Sequence, residues 1–309
     1  MASPPTSSTS PALSVVPELP SPLAVVCHDA GACNVILPWL SQPGLRVRAV
    51  MQGPALRLWK ARFGERPLCA NPEVALDGAA MLLSGTGWAT SLEHDARVMA
   101  AKAGLRSAAV IDHWVNYTER FTRGAQTLWP GEIWVTDADA LRLAQRSFPG
   151  ADVRCLDNLY LAEQVAQVGP LRSGDEGVLY VMEPMRNDWG LGAPGEWQAL
   201  EYFVQHRQAL GIVPGAPMRL RPHPSDPKGK YDGWLAGPLG QGVALDRSPS
   251  LAAAMSGCAW VAGCESYALV VGLAAGRRVV STLPPWAPAC RLPQAGLLQL
   301  RDLAAGVVG

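Results

Sequence analysis

The sequence lacks three features that would place it in a special class of protein. It has no net charge, because 26 Lys and Arg balance 26 Asp and Glu, whereas a general nucleic-acid binder carries a basic excess. No apolar run approaches the roughly 20 residues of a membrane span, so no transmembrane segment is expected, although peripheral membrane association stays open. The 7 cysteines are odd in number and form no C-x-x-C pair. They indicate reduced thiols in a cytoplasmic protein rather than a disulfide framework or a zinc site.

The composition permits a sizeable core. With 309 residues, 49% of them hydrophobic, the chain can form one large domain or two ordinary ones. Its first 22 residues, "MASPPTSSTSPALSVVPELPSP", have neither a basic start nor a sustained apolar stretch. Their Pro and Ser content predicts a disordered arm rather than a signal peptide.

Apolar strand segments alternate with helical segments from Leu23 onward. The alternation is interrupted near residue 174 by "LRSGDEG" and then restarts. This pattern is typical of parallel sheets covered by helices on both faces. The sequence therefore predicts two doubly wound, Rossmann-like α/β domains, over residues 23–173 and 174–309, that face each other across a cleft.

Titratable residues follow predicted strands in the first domain, where ligands of such sheets bind. His28 and Asp29 come directly after the first strand, and Asp112 ends a later one. Any of them could take a proton from an acceptor hydroxyl, and an imidazole titrates near neutral pH. The alternative is that Asp29 caps the next helix while His28 packs beneath it. The loop "SGTGWAT" could hold an anion at a helix start or serve only as a tight turn.

The stretch "MRLRPHPSDPKGKY" ends a predicted strand of the second domain. Pro222 and Pro224 restrict the backbone on both sides of His223. Arg221, Lys228 and Lys230 are expected to make the neighbourhood positive, which suits a phosphate bound by charge-assisted hydrogen bonds. The alternative is a stiff surface turn with a solvated histidine.

The segment "GCESYALVVG" joins a strand to a buried helix. Ser266 could cap that helix or bind a phosphate at its positive end, and Glu265 could accept hydrogen bonds from ribose hydroxyls or be a solvated acid. No D-x-D stands where a metal would be expected. "DADA" at 137–140 has the spacing but opens a helix, so it is interpreted as a cap, and no metal site or cofactor is predicted.

His223-Pro224 followed by Ser266 carries a resemblance to glycosyltransferases of the GT-B architecture. The second half of the chain is similar to bacterial capsule and lipopolysaccharide transferases, including the sialyltransferases and Kdo transferases that use CMP-activated sugars. The resemblance implies that His223, Pro224 and Ser266 contact the donor phosphate. The donor site would also include Arg186, Arg221 and Glu265. The chain departs from this family in having only "HDAG" as a base motif and Glu265 where a second serine is usual.

The resemblance implies a metal-independent glycosyltransferase. It would move a sugar from a nucleotide-sugar to a glycan or protein acceptor. A CMP-linked nonulosonate or Kdo-type donor is favoured, and the reaction would belong to the synthesis of a bacterial surface polysaccharide. Asp29, His28 and Asp112 are the candidates for the base. Two alternatives remain: a sugar-nucleotide epimerase of related architecture, and a non-catalytic nucleotide-binding protein.

Overall fold

The computed structural model describes residues 15–185 and 187–306. It divides into two compact units, one up to Leu159 and the other from Tyr160. The sequence-based boundary near residue 174 lies after the helix Leu159–Val168 and before the strand Gly177–Val181.

The first unit contains a six-stranded parallel sheet in the order β2-β1-β3-β4-β7-β8. β1, β3, β4 and β7 are buried along their whole length, as expected for a parallel sheet covered on both faces. Its elements in chain order are β1 (Leu23–Cys27), α1 (Ala30–Trp39), β2 (Val47–Met51), α2 (Gly53–Phe63), α3 (Pro72–Leu76), β3 (Met81–Ser84), α4 (Leu92–Lys102), β4 (Ser107–Val110), the hairpin β5 (Thr122–Arg123) and β6 (Gln126–Thr127), β7 (Glu132–Val135), α5 (Ala138–Ser147) and β8 (Asp152–Cys155).

The second unit contains another six-stranded parallel sheet, in the order β11-β10-β9-β12-β13-β14. Counted along the chain, this is the 3-2-1-4-5-6 order of the Rossmann fold. The helix and strand elements from Leu159 onward are α6 (Leu159–Val168), β9 (Gly177–Val181), α7 (Gly195–His206), β10 (Met218–Arg221), α8 (Asp232–Leu235), β11 (Val243–Leu245), α9 (Leu251–Met255), β12 (Cys258–Gly263), α10 (Tyr267–Ala274), β13 (Arg278–Ser281), β14 (Leu297–Gln299) and α11 (Leu300–Ala305). The predicted class, two doubly wound Rossmann-like α/β units, is confirmed.

Each sheet has one point where the direction of winding reverses. In the first sheet it lies between β1 and β3, and in the second between β9 and β12. Connections leave the carboxyl ends of the two strands in opposite directions there, which opens a crevice that ligands of this fold class use. The loops after these four strands are therefore the first places to look for function.

The second sheet ends in a strand that the sequence pattern does not reveal. Leu297–Gln299 pairs in parallel with Arg278–Ser281, and α11 follows. Three residues are too short a run for apolar periodicity to reveal.

Part of the predicted arm makes defined contacts. Residues 15–22 are held against the first unit, because Gln42 Nε2 donates to the Pro17 carbonyl at 3.0 Å and the Asp157 N–H donates to the Val15 carbonyl at 3.1 Å. The rest of the predicted arm, residues 1–14, lies outside the described residues. Within the described ranges, no helix combines the length and apolarity needed to cross a membrane.

Candidate functional site

His28 and Asp29 form a hydrogen-bonded pair directly after β1. Nδ1 of His28 lies 2.6 Å from Oδ1 of Asp29, and the two side chains are 17% and 36% exposed. Asp29 precedes α1 with an extended backbone but makes no side-chain capping bond. The capping alternative is therefore wrong for Asp29, and the carboxylate instead orients the imidazole. Imidazoles and carboxylates are common general acids and bases, so this pair is a candidate for exchanging a proton with a bound molecule.

Glu93, which sequence reasoning missed, joins this pair from the first turn of α4. It is 1% exposed, and its Oε1 accepts the backbone N–H of His28 at 2.9 Å. Burial raises the pKa of Glu93, the charge of Asp29 raises it further, and the His28 hydrogen bond opposes the shift. An acid in the first turn of a helix is ordinarily explained by the helix dipole, so the sequence pattern did not distinguish it.

Gly85 and Gly87 in the loop after β3 make room for these carboxylates. A Cβ on Gly87 would overlap Oδ2 of Asp29 and lie 2.9 Å from Oε2 of Glu93, and a Cβ on Gly85 would overlap Oε1 of Glu93. Both carboxylates thus approach Gly87. Since carboxylates repel anions, the glycine-rich loop is unsuited to the phosphate that its sequence allowed. Gly85 and Gly87, which precede Glu93 in the sequence, are the signal that could have revealed the position of Glu93 in this site.

Asp112 belongs to the same group of residues. Its carboxylate would overlap a Cβ on Gly31, in the first turn of α1, so it lies directly beside the start of that helix. Its Oδ1 accepts Nη1 of Arg120 at 2.9 Å, and the same Nη1 donates to Oγ1 of Thr86 at 3.0 Å in the loop after β3. The structure therefore gathers the three predicted base candidates, His28, Asp29 and Asp112, at one end of the first sheet.

A half-buried glutamate and a buried one meet at the corresponding point of the second sheet. Glu183 follows β9 and Glu265 follows β12, and the Glu265 backbone N–H donates to Oε2 of Glu183 at 2.9 Å. Burial raises the pKa of Glu183 to about 7, with the charge of Glu265 adding to the shift and its N–H opposing it. Sequence reasoning placed Glu183 at a strand end without giving it a role.

Glu265 is held by an arginine that the sequence did not single out. It is 4% exposed, and Arg291 contacts it through Nε at 3.2 Å from both oxygens, through its backbone N–H at 3.2 Å and through Nη2. The alternative that Glu265 is a solvated acid is therefore wrong. An oriented carboxylate at the end of β12 can accept hydrogen bonds from a ligand's hydroxyl groups.

Ser266 caps α10. Its Oγ accepts the backbone N–H of Ala268 at 3.2 Å, which confirms the capping interpretation, and a hydroxyl in this role still has its own proton to donate. A contact with a phosphate stays a prediction. Asp137 likewise caps α5 by accepting the Ala140 N–H at 2.7 Å, so "DADA" is a cap, as predicted.

The turn at Pro222–Pro224 does not have the positive surroundings that were expected. His223 Nδ1 lies 2.7 Å from Oγ of Ser225, and the His223 backbone N–H donates to Asp226 at 2.9 Å. Lys230 donates to Asp226 at 2.7 Å and also pairs with Glu196. These carboxylates offset the charge that the sequence assigned to this turn.

Arg221 is also engaged within the second unit. Its Nη1 contacts Oδ2 of Asp246 and donates to the Ser248 carbonyl at 3.2 Å. Pro224 is exposed beside His223, and Arg186, the remaining predicted donor residue, lies outside the described residues. In residues 15–185 and 187–306, no group of three or more His, Cys, Asp or Glu side chains could hold a metal ion.

Comparisons with known proteins agree with this architecture. No protein-family model matches the chain, and no curated protein matches its sequence. Among solved structures, one from Listeria monocytogenes, provisionally assigned as a UDP-N-acetylglucosamine 2-epimerase, has a TM-score of 0.59 at 10% identity and covers 93% of this chain and 87% of that chain. The S. aureus MnaA–UDP complex gives 0.58 at 8% identity, with 93% and 86% covered. Acinetobacter baumannii MurG gives 0.48 at 12% identity, with 94% and 91% covered.

Likeness at such low identity concerns the fold. The chain has the GT-B-like α/β fold, with two Rossmann-like units and a six-stranded parallel sheet in each. What the described residues do chemically has to be argued from the residues themselves.

Proposed function

We propose that the chain is an enzyme that acts on a nucleotide-sugar, and that its reaction is glycosyl transfer. One observation carries the proposal: each sheet has buried or half-buried carboxyl groups where its winding reverses, His28–Asp29 with Glu93 in the first and Glu183–Glu265 in the second. Ligands of this fold class bind at such points. Titratable groups with a raised pKa at such points are typical of catalytic and binding sites.

The second unit would hold the nucleotide. Glu265, oriented by Arg291, would accept hydrogen bonds from the ribose hydroxyls. His223 and Ser266 would donate to the phosphate, which the positive end of α10 also attracts, and Pro224 keeps the histidine turn stiff. A CMP-linked nonulosonate or Kdo-type sugar remains the favoured donor on the His-Pro and serine resemblance. Arg221 would then influence the bound donor only indirectly, because its guanidinium is paired with Asp246.

The first unit would supply the acid–base chemistry on a glycan or protein acceptor. Asp29 is the preferred base, since its side chain is the more exposed of the pair and its Oδ1 is held by His28. The imidazole stabilises the carboxylate and can receive the proton afterwards. Glu93 and Asp112 would position this pair, through the His28 backbone N–H and the side of α1 respectively.

A sugar-nucleotide epimerase is the second candidate. Two solved structures of similar fold carry that assignment or bind UDP, and epimerisation removes and returns protons, for which several carboxyl groups are suited. The proposed nucleotide contacts would serve this reaction equally well. The base would then act on the donor sugar instead of an acceptor.

Two experiments test these functions in order. Thermal-shift screening with CMP, CDP, UDP and GDP identifies the nucleotide, because a ligand that binds only the native state raises the melting temperature. We expect at least one of them to raise it, and CMP most. The corresponding nucleotide-sugar is then incubated with the protein alone. Epimerised product without any acceptor supports the epimerase, whereas turnover only after an acceptor is added supports the transferase. If no nucleotide shifts the melting temperature, the proposed function fails.

A further inference from the structure

Trp88 is a large apolar side chain left half exposed beside the acidic residues of the first unit. It follows Gly87, the residue that both the Asp29 and Glu93 carboxylates approach, and its side chain is 50% exposed. Indole rings supply much of the binding energy in ligand and protein interfaces, because they bury a large area at little conformational cost. An exposed indole next to titratable groups therefore suggests a binding surface.

The ring of Trp88 rests on a rigid support. The Arg120 guanidinium carbon lies 5.1 Å from the ring centroid, a separation at which a cation is attracted to an indole face. Arg120 is itself 5% exposed. It is held by Asp112 at 2.9 Å, Thr86 at 3.0 Å and the Val115 carbonyl at 3.2 Å. A guanidinium with these partners cannot swing away easily, so it gives the indole a fixed cationic support on one side.

Carboxylates with accessible side chains lie near this ring. Asp29 lies beside Gly87, the residue before Trp88, and Asp112 pairs with Arg120. Their side chains are 36% and 20% exposed, whereas that of Arg120 is 7% exposed. Arg123 is half-buried and donates to the Gly87 carbonyl at 2.7 Å. Carboxylates accept hydrogen bonds from hydroxyl groups and repel phosphates and other anions. The combination suits a neutral ring that has an apolar face and hydroxyl groups at its rim.

We propose that the Trp88 indole, supported by Arg120, is the stacking platform for a neutral saccharide ring, and that this ring is the group on which Asp29 acts. The C–H face of the sugar lies on the indole while its hydroxyls donate to Asp29 and Asp112. This inference rests on the proposed function, since it specifies the class of molecule bound by the first unit. It narrows the acceptor to a glycan rather than a protein side chain.

The test is ligand-observed NMR on the whole chain, with separate probes for the competing chemistries. N-acetylglucosamine and a methyl glucoside represent neutral saccharides, indole represents a flat aromatic ligand, and inorganic phosphate represents an anion. The variants are Trp88→Ala, Trp88→Phe and the matched control Trp129→Ala. Trp129 is also partly exposed in the first unit, at 39%, but it packs edge-on against Phe148 at 5.3 Å.

We expect saturation transfer to the ring protons of at least one saccharide in the wild type. Trp88→Ala should weaken this binding by about tenfold, equivalent to the loss of about 1.4 kcal/mol, Trp88→Phe should weaken it less, and Trp129→Ala should leave it unchanged. Equal binding by Trp88→Ala and wild type would overturn the inference. So would a wild type that prefers indole or phosphate, or that binds no saccharide at about 50 mM, well above the roughly 1 mM dissociation constant of a weak ligand.

Nucleotide binding is measured on the same samples by thermal shift. If a nucleotide binds and no saccharide does, the platform fails while the proposed function stands. If no nucleotide binds, the proposed function fails irrespective of Trp88. Melting temperatures without ligand show whether each variant is folded, and Trp88→Phe retains a ring over Arg120 should the alanine variant be unstable.

Discussion

Both units have acidic groups at the point where the winding of the sheet reverses, but the surroundings of these groups differ. In the first, Asp29 is partly exposed and lies within hydrogen-bond distance of His28. In the second, Glu265 is buried and held by Arg291, and the half-buried Glu183 accepts the Glu265 backbone N–H. A partly exposed, hydrogen-bonded pair is accessible to a ligand, whereas a buried carboxylate with both oxygens contacted by Arg291 keeps a fixed orientation. The comparison supports the proposal that the reaction chemistry lies in the first unit and nucleotide binding in the second.

The glycines at the two reversal points also differ in what they make room for. Gly87 in the first unit makes room for side-chain carboxylates, while Gly263 at the end of β12 lets the backbone approach β9, because a Cβ there would lie 2.9 Å from the Val181 carbonyl oxygen. One glycine clears space for functional groups, and the other permits close contact between neighbouring strands. Glycine at a strand end is thus informative only when its neighbours are known.

The largest expected effect comes from removing the proposed base. Asp29→Asn should reduce turnover about 100-fold or more, because the amide cannot accept the proton, while nucleotide affinity stays unchanged. Steady-state kinetics and a nucleotide titration measure the two quantities. Asp77→Asn, at an exposed aspartate that ends α3, is the control. Unchanged turnover in the Asp29 variant would show that the two units do not divide the work as proposed.

The second prediction concerns Glu183, beside Glu265. Its pKa is raised to about 7 in the folded chain, so folding favours its protonated form. Its contribution to stability is complete below the ordinary carboxyl pKa of about 4.3 and is lost as pH rises through about 7. Glu183→Gln cannot ionise, and its amide oxygen can still accept the Glu265 N–H. We therefore expect it to exceed the wild type in unfolding free energy above pH 7 by about 3 kcal/mol, and to match it near pH 4.

Urea unfolding between pH 4 and pH 8 measures this difference. The exposed Glu176 provides a control, Glu176→Gln, which should show no such pH-dependent gain. If Glu183→Gln and wild type differ by the same amount at every pH, burial of an ionised carboxylate is not what distinguishes the second unit.

The third prediction concerns the histidine turn. A hydrogen bond from His223 to a charged phosphate is worth about 1.5–3 kcal/mol, so His223→Ala should weaken nucleotide affinity at least about tenfold. The fold should persist, since the side chain carries little core packing. Titration calorimetry on this variant and on His206→Ala, whose imidazole contacts the Tyr202 carbonyl instead, provides the comparison. If the His223→Ala and His206→Ala variants bind the nucleotide equally well, the Pro-His-Pro stretch is only a stiff turn.

The smallest effect is expected at the two serine caps of the second unit. Ser266→Ala and Ser250→Ala each remove one capping hydrogen bond, to Ala268 and Ala253, and each should lower the unfolding free energy by about 1 kcal/mol. Only Ser266→Ala should also weaken nucleotide binding, because only Ser266 follows β12 at the reversal point. Parallel losses of affinity in both variants would remove Ser266 from the proposed phosphate contacts.

Short-range pattern was sufficient to predict several features of this chain. Alternating apolar segments predicted two α/β units, and the cap at Asp137 and the helix after Ser266 were found from neighbouring residues alone. His28, Asp29 and Asp112 were selected because they follow strands. In each case the relevant interaction acts within a few residues, so the local sequence contains the information.

By itself, then, the sequence determined the fold class and which strand ends carry polar groups, while the tertiary structure decided which of those groups meet. Glu93 contacts His28 across 65 residues, and Glu183 contacts Glu265 across 82. Such pairs depend on the order of strands in each sheet, which long-range packing selects among many orders that the same alternating pattern allows. The net charge of the surroundings of His223 also depends on packing, since the Glu196 carboxylate that pairs with Lys230 belongs to α7. Local pattern identifies a residue that can react, but packing supplies the partner that sets its charge and its access to a ligand.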